Sequence, residues 1–430
     1  MKKEIFEPFN ISDNNFEQCV KCTICTVYCP VLEVNPDFPG PKQSGPDGER
    51  LRLKDPSFFD ESLKLCLNCK RCEVACPHGV KIGDIIQMAR IKHSKKKPKF
   101  RDMILANTDI VGTMASTFAP IVNPIVALKP VRRIMDSVLK IDHHRIFPEY
   151  AGLRFESWYS RYAAKKQNDF KKHVSYFHGC YVNYNFPQLG KDLIKIMNAA
   201  GYGVHLLEKE KCCGVALISN GLIKQATKQA RHNVEAFKKS IVDKNMPVIS
   251  TSSTCIFTIR DEYPHLLGVK NDEIRNESEL ATRFLFRLID TGKLKLVFKK
   301  NYKKRIAYHT PCHMEKLGWS IYSTSLLRMI PGIDFMELES LCCGIAGTYG
   351  FKKENYETSQ GVGKPLFEQI ENSNADYVTT DCETCKWQVE MSTTNKVQHP
   401  ISILAEALDV EATMKLWQEQ NVESLEECPN

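Results

Sequence analysis

No run of 18 apolar residues occurs in the 430-residue sequence, so no single helix long enough to cross a bilayer is expected. The nearest candidate, Met103 to Pro130, is interrupted by Asn107, Asp109, Asn123, Pro124 and Lys129. The first ten residues, MKKEIFEPFN, lack an apolar core and a small-residue cleavage site, so no secretory signal is expected there. No Gly-x-Gly-x-x-Gly follows a strand-like run, and no phosphate loop is present. These absences argue against the usual flavin, nicotinamide and nucleotide sites. Basic stretches occur without interleaved aromatics, which argues against a zinc-dependent nucleic-acid binder. What remains is an ordinary globular balance, 43% hydrophobic and 26% charged, in a length that suits two to three domains.

Cysteine is abundant, with 18 in the chain. Without a secretory signal, such a chain is expected to bind metal through thiolates rather than form disulfides. Two runs share the pattern Cys-x2-Cys-x2-Cys-x3-Cys-Pro: Cys19, Cys22, Cys25, Cys29, Pro30 and Cys66, Cys69, Cys72, Cys76, Pro77. Three closely spaced cysteines can wrap one 4Fe–4S cube, and the fourth ligand then comes from elsewhere. In two-cluster proteins of this kind the fourth cysteine serves the other cluster. The expected sets are Cys19, Cys22, Cys25 and Cys76 on one cluster, and Cys66, Cys69, Cys72 and Cys29 on the other. A pair of zinc sites is the competing reading. Zinc requires neither the third cysteine two residues on nor the Cys-Pro ending. Helix-like patterns at Phe59 to Leu67 and at Lys81 to His93 favour a helical ferredoxin over the compact β-sheet kind.

An internal repeat follows. Cys212-Cys213-Gly214 recurs as Cys342-Cys343-Gly344, and Cys255 recurs as Cys385. Ahead of each pair stands a lone cysteine, Cys180 or Cys312. The second copy adds Cys382, where the first has Ser252. Adjacent cysteines would strain as a disulfide, but they can reach neighbouring metal atoms of one centre. Cys312, Cys342, Cys343, Cys382 and Cys385 are expected to hold a third cluster. Cys180, Cys212, Cys213 and Cys255 are a four-thiol candidate for a fourth, against the alternatives of inert buried thiols or zinc.

Each copy reads as alternating strand and helix. Strands are expected at Val174 to His178, Val204 to Leu207 and Val248 to Thr251, and again at Ile306 to His309, Phe335 to Leu338 and Tyr377 to Thr380. Helices are expected at about Pro187 to Ala200 and Leu222 to Ile241. That alternation predicts βαβ units and a parallel sheet. Each cysteine group falls just after a strand, at the carboxyl edge where such sheets bind ligands. The expected fold class is α + α/β: an N-terminal α-helical ferredoxin domain (1–100), a basic linker (101–170), two duplicated α/β modules (171–300 and 301–410) and a polar tail (411–430). Cys428, in that tail, is expected to be an inert exposed thiol.

The net charge is +8. Between Lys81 and Tyr150 there are 13 Lys and Arg against 6 Asp and Glu, which accounts for nearly all of it. Such asymmetry points to a partner surface. Val126 to Ile141 reads as an amphipathic helix, with Leu128, Val131, Ile134, Met135, Val138 and Leu139 at helical spacing beside Lys129, Arg132, Arg133 and Lys140. It suits a lipid interface or a core-packed helix with a solvated basic face. The run Lys95-Lys96-Lys97-Pro98-Lys99 adds attraction to anionic lipid. His178 and His309 precede the lead cysteines. Each is either a satisfied core residue, a donor to cluster sulfur or a proton carrier for a quinone. His313 and Glu315 are similar cases.

This cysteine layout resembles the CCG-type cysteine-rich domains of the heterodisulfide reductase B subunit and its relatives. The N-terminal half resembles the helical ferredoxin of that reductase's C subunit. A chain fusing the two is similar to glycolate oxidase iron–sulfur subunits, lactate-utilisation proteins and the C-subunit family of anaerobic glycerol-3-phosphate dehydrogenase. Stretches such as NPDFPGPKQSGPDGERLRLKD, FHGCYVNYNFPQLGKDLIK, YHTPCHMEKLGW, CCGIAGTYGFKKENY and TDCETCKWQ carry the likeness to the last family, which spans about residues 16 to 408.

The resemblance implies that the five cysteines around Cys342 hold a non-cubane 4Fe–4S cluster. Ser252 fits this family but departs from the five-cysteine pattern. The implied role is non-catalytic electron transfer, from flavin-containing subunits that oxidise sn-glycerol 3-phosphate to dihydroxyacetone phosphate, toward menaquinone. It also implies peripheral attachment at the cytoplasmic face of the inner membrane. The alternative is a catalytic reductase whose non-cubane cluster cleaves a disulfide or reduces another small substrate.

Overall fold

The computed structural model describes residues 15–58, 60–93 and 98–426. Residues 15–80 contain short helical turns, among them Ile24–Val27, Pro30–Val34 and Arg71–Val74, and one longer helical run over 41–54, π-helical at Gln43–Asp47 and ending as Gly48–Lys54. Pro30 stands in the first turn of its helix, where its missing N–H costs nothing. The expected helix over 59–67 is a single 3-10 stretch, Glu61–Leu65, capped by the Asp60 carboxylate on the Ser62 N–H at 2.8 Å. The regular helix α1 (Ile82–His93) follows the second cysteine motif. Its Ile82, Ile85 and Ile86 are buried against Phe38 and Leu63.

Four helices follow: α2 (Phe100–Ala106), α3 (Thr108–Thr117), α4 (Ala119–Ala127) and α5 (Lys129–Leu139). The single helix expected over 126–141 is therefore divided. Leu128 is extended, with ψ 127°, and α5 begins with Pro130 in its first turn. Proline suits a helix start and breaks a helix interior. Ile134 and Val138 are 62% and 72% exposed, so the apolar stripe of α5 is not packed into the core. Lys95, Lys96 and Lys97 lie outside the described residues, as does Cys428. No single described helix is long and apolar enough to cross a membrane; α3 and α4 form an apolar pair bent by 105°.

The rest is two parallel sheets of identical topology. The first comprises β1 (Lys172–Phe177), β2 (Tyr202–Leu206), β3 (Val248–Ser250) and β4 (Ser278–Leu280), ordered β2-β1-β3-β4. The second comprises β5 (Lys304–Tyr308), β6 (Ile333–Glu337), β7 (Tyr377–Thr379) and β8 (Val397–Gln398), ordered β6-β5-β7-β8. Every pairing is parallel. Three strands per copy are legible in the sequence. The fourth, β4 or β8, is only two or three residues long and lacks a distinct apolar run.

Helices α6 (Pro187–Ala199) and α7 (Ile223–Lys238) cross over the first sheet. One core joins the repeats, with Val174, Tyr176 and Leu193 of the first copy packed with Ile306, Tyr308 and Ile401 of the second. Phe155, Tyr159 and Ala163, assigned to the linker from sequence, are buried in that same core.

Candidate metal centre

The two N-terminal motifs follow the same backbone path. In the first, Lys21 and Thr23 are left-handed, with φ 61° and 64°. In the second, Asn68 and Lys70 occupy the equivalent positions, with φ 55° and 64°. Non-glycine residues rarely adopt that region. Here the two left-handed steps in each loop turn three successive cysteines toward one point. Cys19, Cys22, Cys25 and Cys76 line one small pocket, beside Pro77 and Val80. Cys29 instead stands near Cys69 and Cys66, whose charges, after burial, help to push its thiol up to about 12. Cys66 accepts the Asn68 N–H at 3.4 Å.

In the repeats, Cys180 and Cys255 stand in the first turn of the short helices Gly179–Tyr184 and Ser253–Phe257 that follow β1 and β3, and the loop leaving β2 carries the pair Cys212-Cys213. Cys312 and Cys385 likewise stand in the first turn of the helices Cys312–Leu317 and Glu383–Ser392 that follow β5 and β7, and the loops leaving β6 and β7 carry the pair Cys342-Cys343 and Cys382. The glycine after each pair is left-handed, φ 87° at Gly214 and 82° at Gly344. At Gly344 a Cβ would lie 2.1 Å from the Ser359 carbonyl oxygen, so only glycine fits. The Cys180 and Cys212 sulfurs are 3.7 Å apart, and those of Cys343 and Cys385 are 3.3 Å apart. All 17 described cysteines are free thiols. The thiols of both repeats line one cavity, together with Cys69 of the second N-terminal motif.

This donor set fits metal. Burial raises the Cys25, Cys66 and Cys72 thiols. Contact with the Cys342 thiol, then burial, holds Cys69 well above its ordinary value. Grouped, buried thiols of this kind are poor thiolates alone, and a bound metal supplies the positive charge that keeps them deprotonated. Contact with Cys385 holds Cys382 down at about 6.

The histidines of the two copies differ. The His178 Nδ1 lies 3.3 Å from Glu210 and its Nε2 3.6 Å from Glu156. Burial disfavours its charge, but those carboxylates outweigh burial and hold it up at about 9. His309 is fully buried, and neither ring nitrogen has a hydrogen-bond partner among the described residues. Burial, with Arg71 nearby, holds it down at about 4. His313 stacks on Phe257 with ring centres 4.5 Å apart, and Glu315 pairs with Arg71 at 3.2 Å.

Glu383 and Asp109 escape sequence reasoning. Ser252, in place of a fifth cysteine, donates its hydroxyl to Glu383 of the other copy at 2.9 Å. The Thr254 hydroxyl beside it lies 3.5 Å from the Cys382 sulfur. Asp109, on α3, accepts the Cys212 N–H at 3.0 Å. The Ser-for-Cys exchange is a signal in the sequence; nothing local marks Asp109 or Glu383.

A 4Fe-4S dicluster domain family matches residues 15–80, and a cysteine-rich domain family matches residues 174–260 and again 306–390. The chain is 58% identical over 398 residues to the C subunit of the anaerobic glycerol-3-phosphate dehydrogenase of Escherichia coli (strain K12), covering 93% of this chain and 100% of that one. It is 26% identical over 420 residues to the D subunit of the dihydromethanophenazine:CoB--CoM heterodisulfide reductase of Methanosarcina mazei, covering 92% and 94%. It is 23% identical over 415 residues to the glycolate oxidase iron-sulfur subunit of Escherichia coli (strain K12), covering 93% and 96%.

Proposed function

The chain belongs to the C-subunit family of anaerobic glycerol-3-phosphate dehydrogenase, and from that membership we propose that it relays electrons from flavin-containing partner subunits to menaquinone. It is an iron–sulfur electron-transfer subunit. The partners remove two electrons and two protons from sn-glycerol 3-phosphate, giving dihydroxyacetone phosphate, and this chain carries the electrons onward.

Cys19, Cys22, Cys25 and Cys76 hold one 4Fe–4S cluster. Cys66, Cys69, Cys72 and Cys29 hold a second. Cys312, Cys342, Cys343, Cys382 and Cys385 hold a third centre, and Cys180, Cys212, Cys213 and Cys255 are the donors available for a fourth. When bound, such centres supply one-electron carriers. The chain's own part is to keep them close and dry. The observation that carries the relay is the contact between Cys69 and Cys342, which joins the N-terminal donors to the second repeat. Arg71 secures that junction by donating to the Ser340 carbonyl at 2.6 Å.

The complex is held at the cytoplasmic face of the inner membrane by the basic helices and their exposed apolar side chains, a peripheral attachment to anionic lipid.

EPR of the anaerobically reduced protein tests the assignment. Cys382→Ser is expected to remove one signal and leave those of the N-terminal pair. An unchanged spectrum would withdraw the third centre. Turnover of a disulfide by the purified chain alone, with reduced viologen, would favour the catalytic reading instead.

A further inference from the structure

The cavity that contains the repeat thiols has an apolar mouth. Leu105 of α2, Val111 and Gly112 of α3, and Phe147 and Tyr150 form its wall. No lysine or arginine lines it among the described residues. The cation on its wall, His178, is already taken by Glu210 and Glu156, so an anionic ligand such as a glycerol phosphate finds no free countercharge there, whereas a neutral, largely apolar molecule does not need one. The mouth lies between the two repeats. Leu105 packs with the core containing Cys343, Cys382 and Cys385, while the adjacent Ala106 packs with the core containing Cys212, Cys213 and Cys255.

Helix α3 presents two stripes. Thr108, Val111 and Gly112 face the cavity. Ile110 and Met114, on another face, are 58% and 63% exposed, and the exposure continues into α4 with Ile121 at 59%. The helix is firmly seated: a Cβ on Gly112 would lie 2.5 Å from the Tyr184 ring, and Asp109 holds the Cys212 N–H. One helix therefore separates an exposed apolar face from a thiol-lined cavity, and its inner side carries no countercharge.

We propose that this mouth is the binding site of a lipid-soluble quinone, entering beside α3 and lying against the wall formed by Leu105, Val111, Phe147 and Tyr150. The inference rests on the quinone-directed relay proposed above and adds its place. At this site the quinone gains two electrons, delivered singly from the repeat centres, and two protons from solvent. Both of its carbonyl oxygens become hydroxyls. The electrons are those withdrawn from glycerol 3-phosphate, whose oxidation releases the matching two protons.

The test uses the complex with its flavoprotein subunits, in phosphatidylglycerol vesicles containing a short-chain menaquinone analogue. Val111→Trp is expected to raise the KM for the analogue at least about tenfold, with the EPR spectrum unchanged. An azido-quinone is expected to label wild-type peptides spanning residues 104–112 and 147–150, and Val111→Trp to abolish that labelling. Val242→Trp, on a remote exposed position, is the control and is expected to keep the wild-type KM. Quinone reduction by the wild type with labelling elsewhere, and with a wild-type KM in Val111→Trp, would overturn the site and leave the relay standing. Failure of the wild-type complex to reduce quinone, with its centres reduced by substrate, would overturn the relay and the site together. Should Val111→Trp lose its EPR signals, the wild-type labelling pattern alone decides.

Discussion

Cys29 and Cys76 each precede a proline, and each lies among the thiols of the other motif. Exchange of one should therefore damage the cluster assigned to the other run. Cys76→Ser is expected to alter the EPR signal shared with Cys22→Ser variants and to spare the one altered by Cys69→Ser. Observation of the opposite pairing would restore uncrossed ligation. Lys70 illustrates a different residue-scale constraint. It is 1% exposed, in contact with Asp84 and 3.3 Å from Glu73, which also receives Lys316 at 3.0 Å. Removal of one member of a buried charge network strands the others, at about 3–5 kcal/mol. Lys70→Met should lower the apparent Tm of the anaerobic protein well below that of a surface control such as Lys64→Met.

At the scale of elements, close packing and docking contacts set the tolerances. Helix α6 approaches Phe155 so closely at Gly190 that a Cβ would come within 2.4 Å of the ring. Gly190→Val should cost about 1–3 kcal/mol through overpacking, measurable as a shift in the denaturant midpoint. The N-terminal region meets the first repeat where Lys81 of the loop before α1 lies 2.8 Å from His265. Burial, then the Lys81 charge, holds the His265 imidazole down at about 4. The unfolded chain thus binds a proton that the folded chain refuses between its ordinary value near 6.5 and about 4. The neutral ring's contribution is complete above about pH 6.5 and is lost as pH falls toward 4. His265→Gln should flatten the dependence of Tm on pH across that window, and an unchanged slope would exclude this residue as its source.

The whole molecule divides its stability unevenly. Apart from the run over 41–54, residues 15–80 have helices of only a few residues, below the length at which a helix sustains itself. Their core includes Cys25 and Cys72 beside Phe38 and Leu63. Repeats built on buried parallel sheets have an independent core. Iron removal by a chelator should therefore expose 15–80 to protease first, while a fragment spanning about 155–408, which keeps Phe155, Tyr159 and Ala163 in the repeat core, survives. Simultaneous digestion of both would show that the repeats, too, depend on metal for their fold.

The order of cysteines along the chain by itself determined the two N-terminal motifs, the duplication and the strand–helix alternation of the repeats. Those are local: a spacing of two or three residues and a hydrophobic period are written in consecutive positions. The fourth strand of each sheet was beyond that reach, because β4 and β8 are only three and two residues long and have almost no apolar period of their own. The break at Leu128 lay in plain sight as Pro130, yet it was masked by an apolar pattern continuing across it. Only tertiary structure decided that Cys69 meets Cys342, that Ser252 reaches Glu383 from the other copy, and that α3 closes the cavity through Asp109 and Gly112. Each of these joins residues that are more than 70 positions apart, and such pairs become neighbours only when two sheets and a helical layer pack on one core.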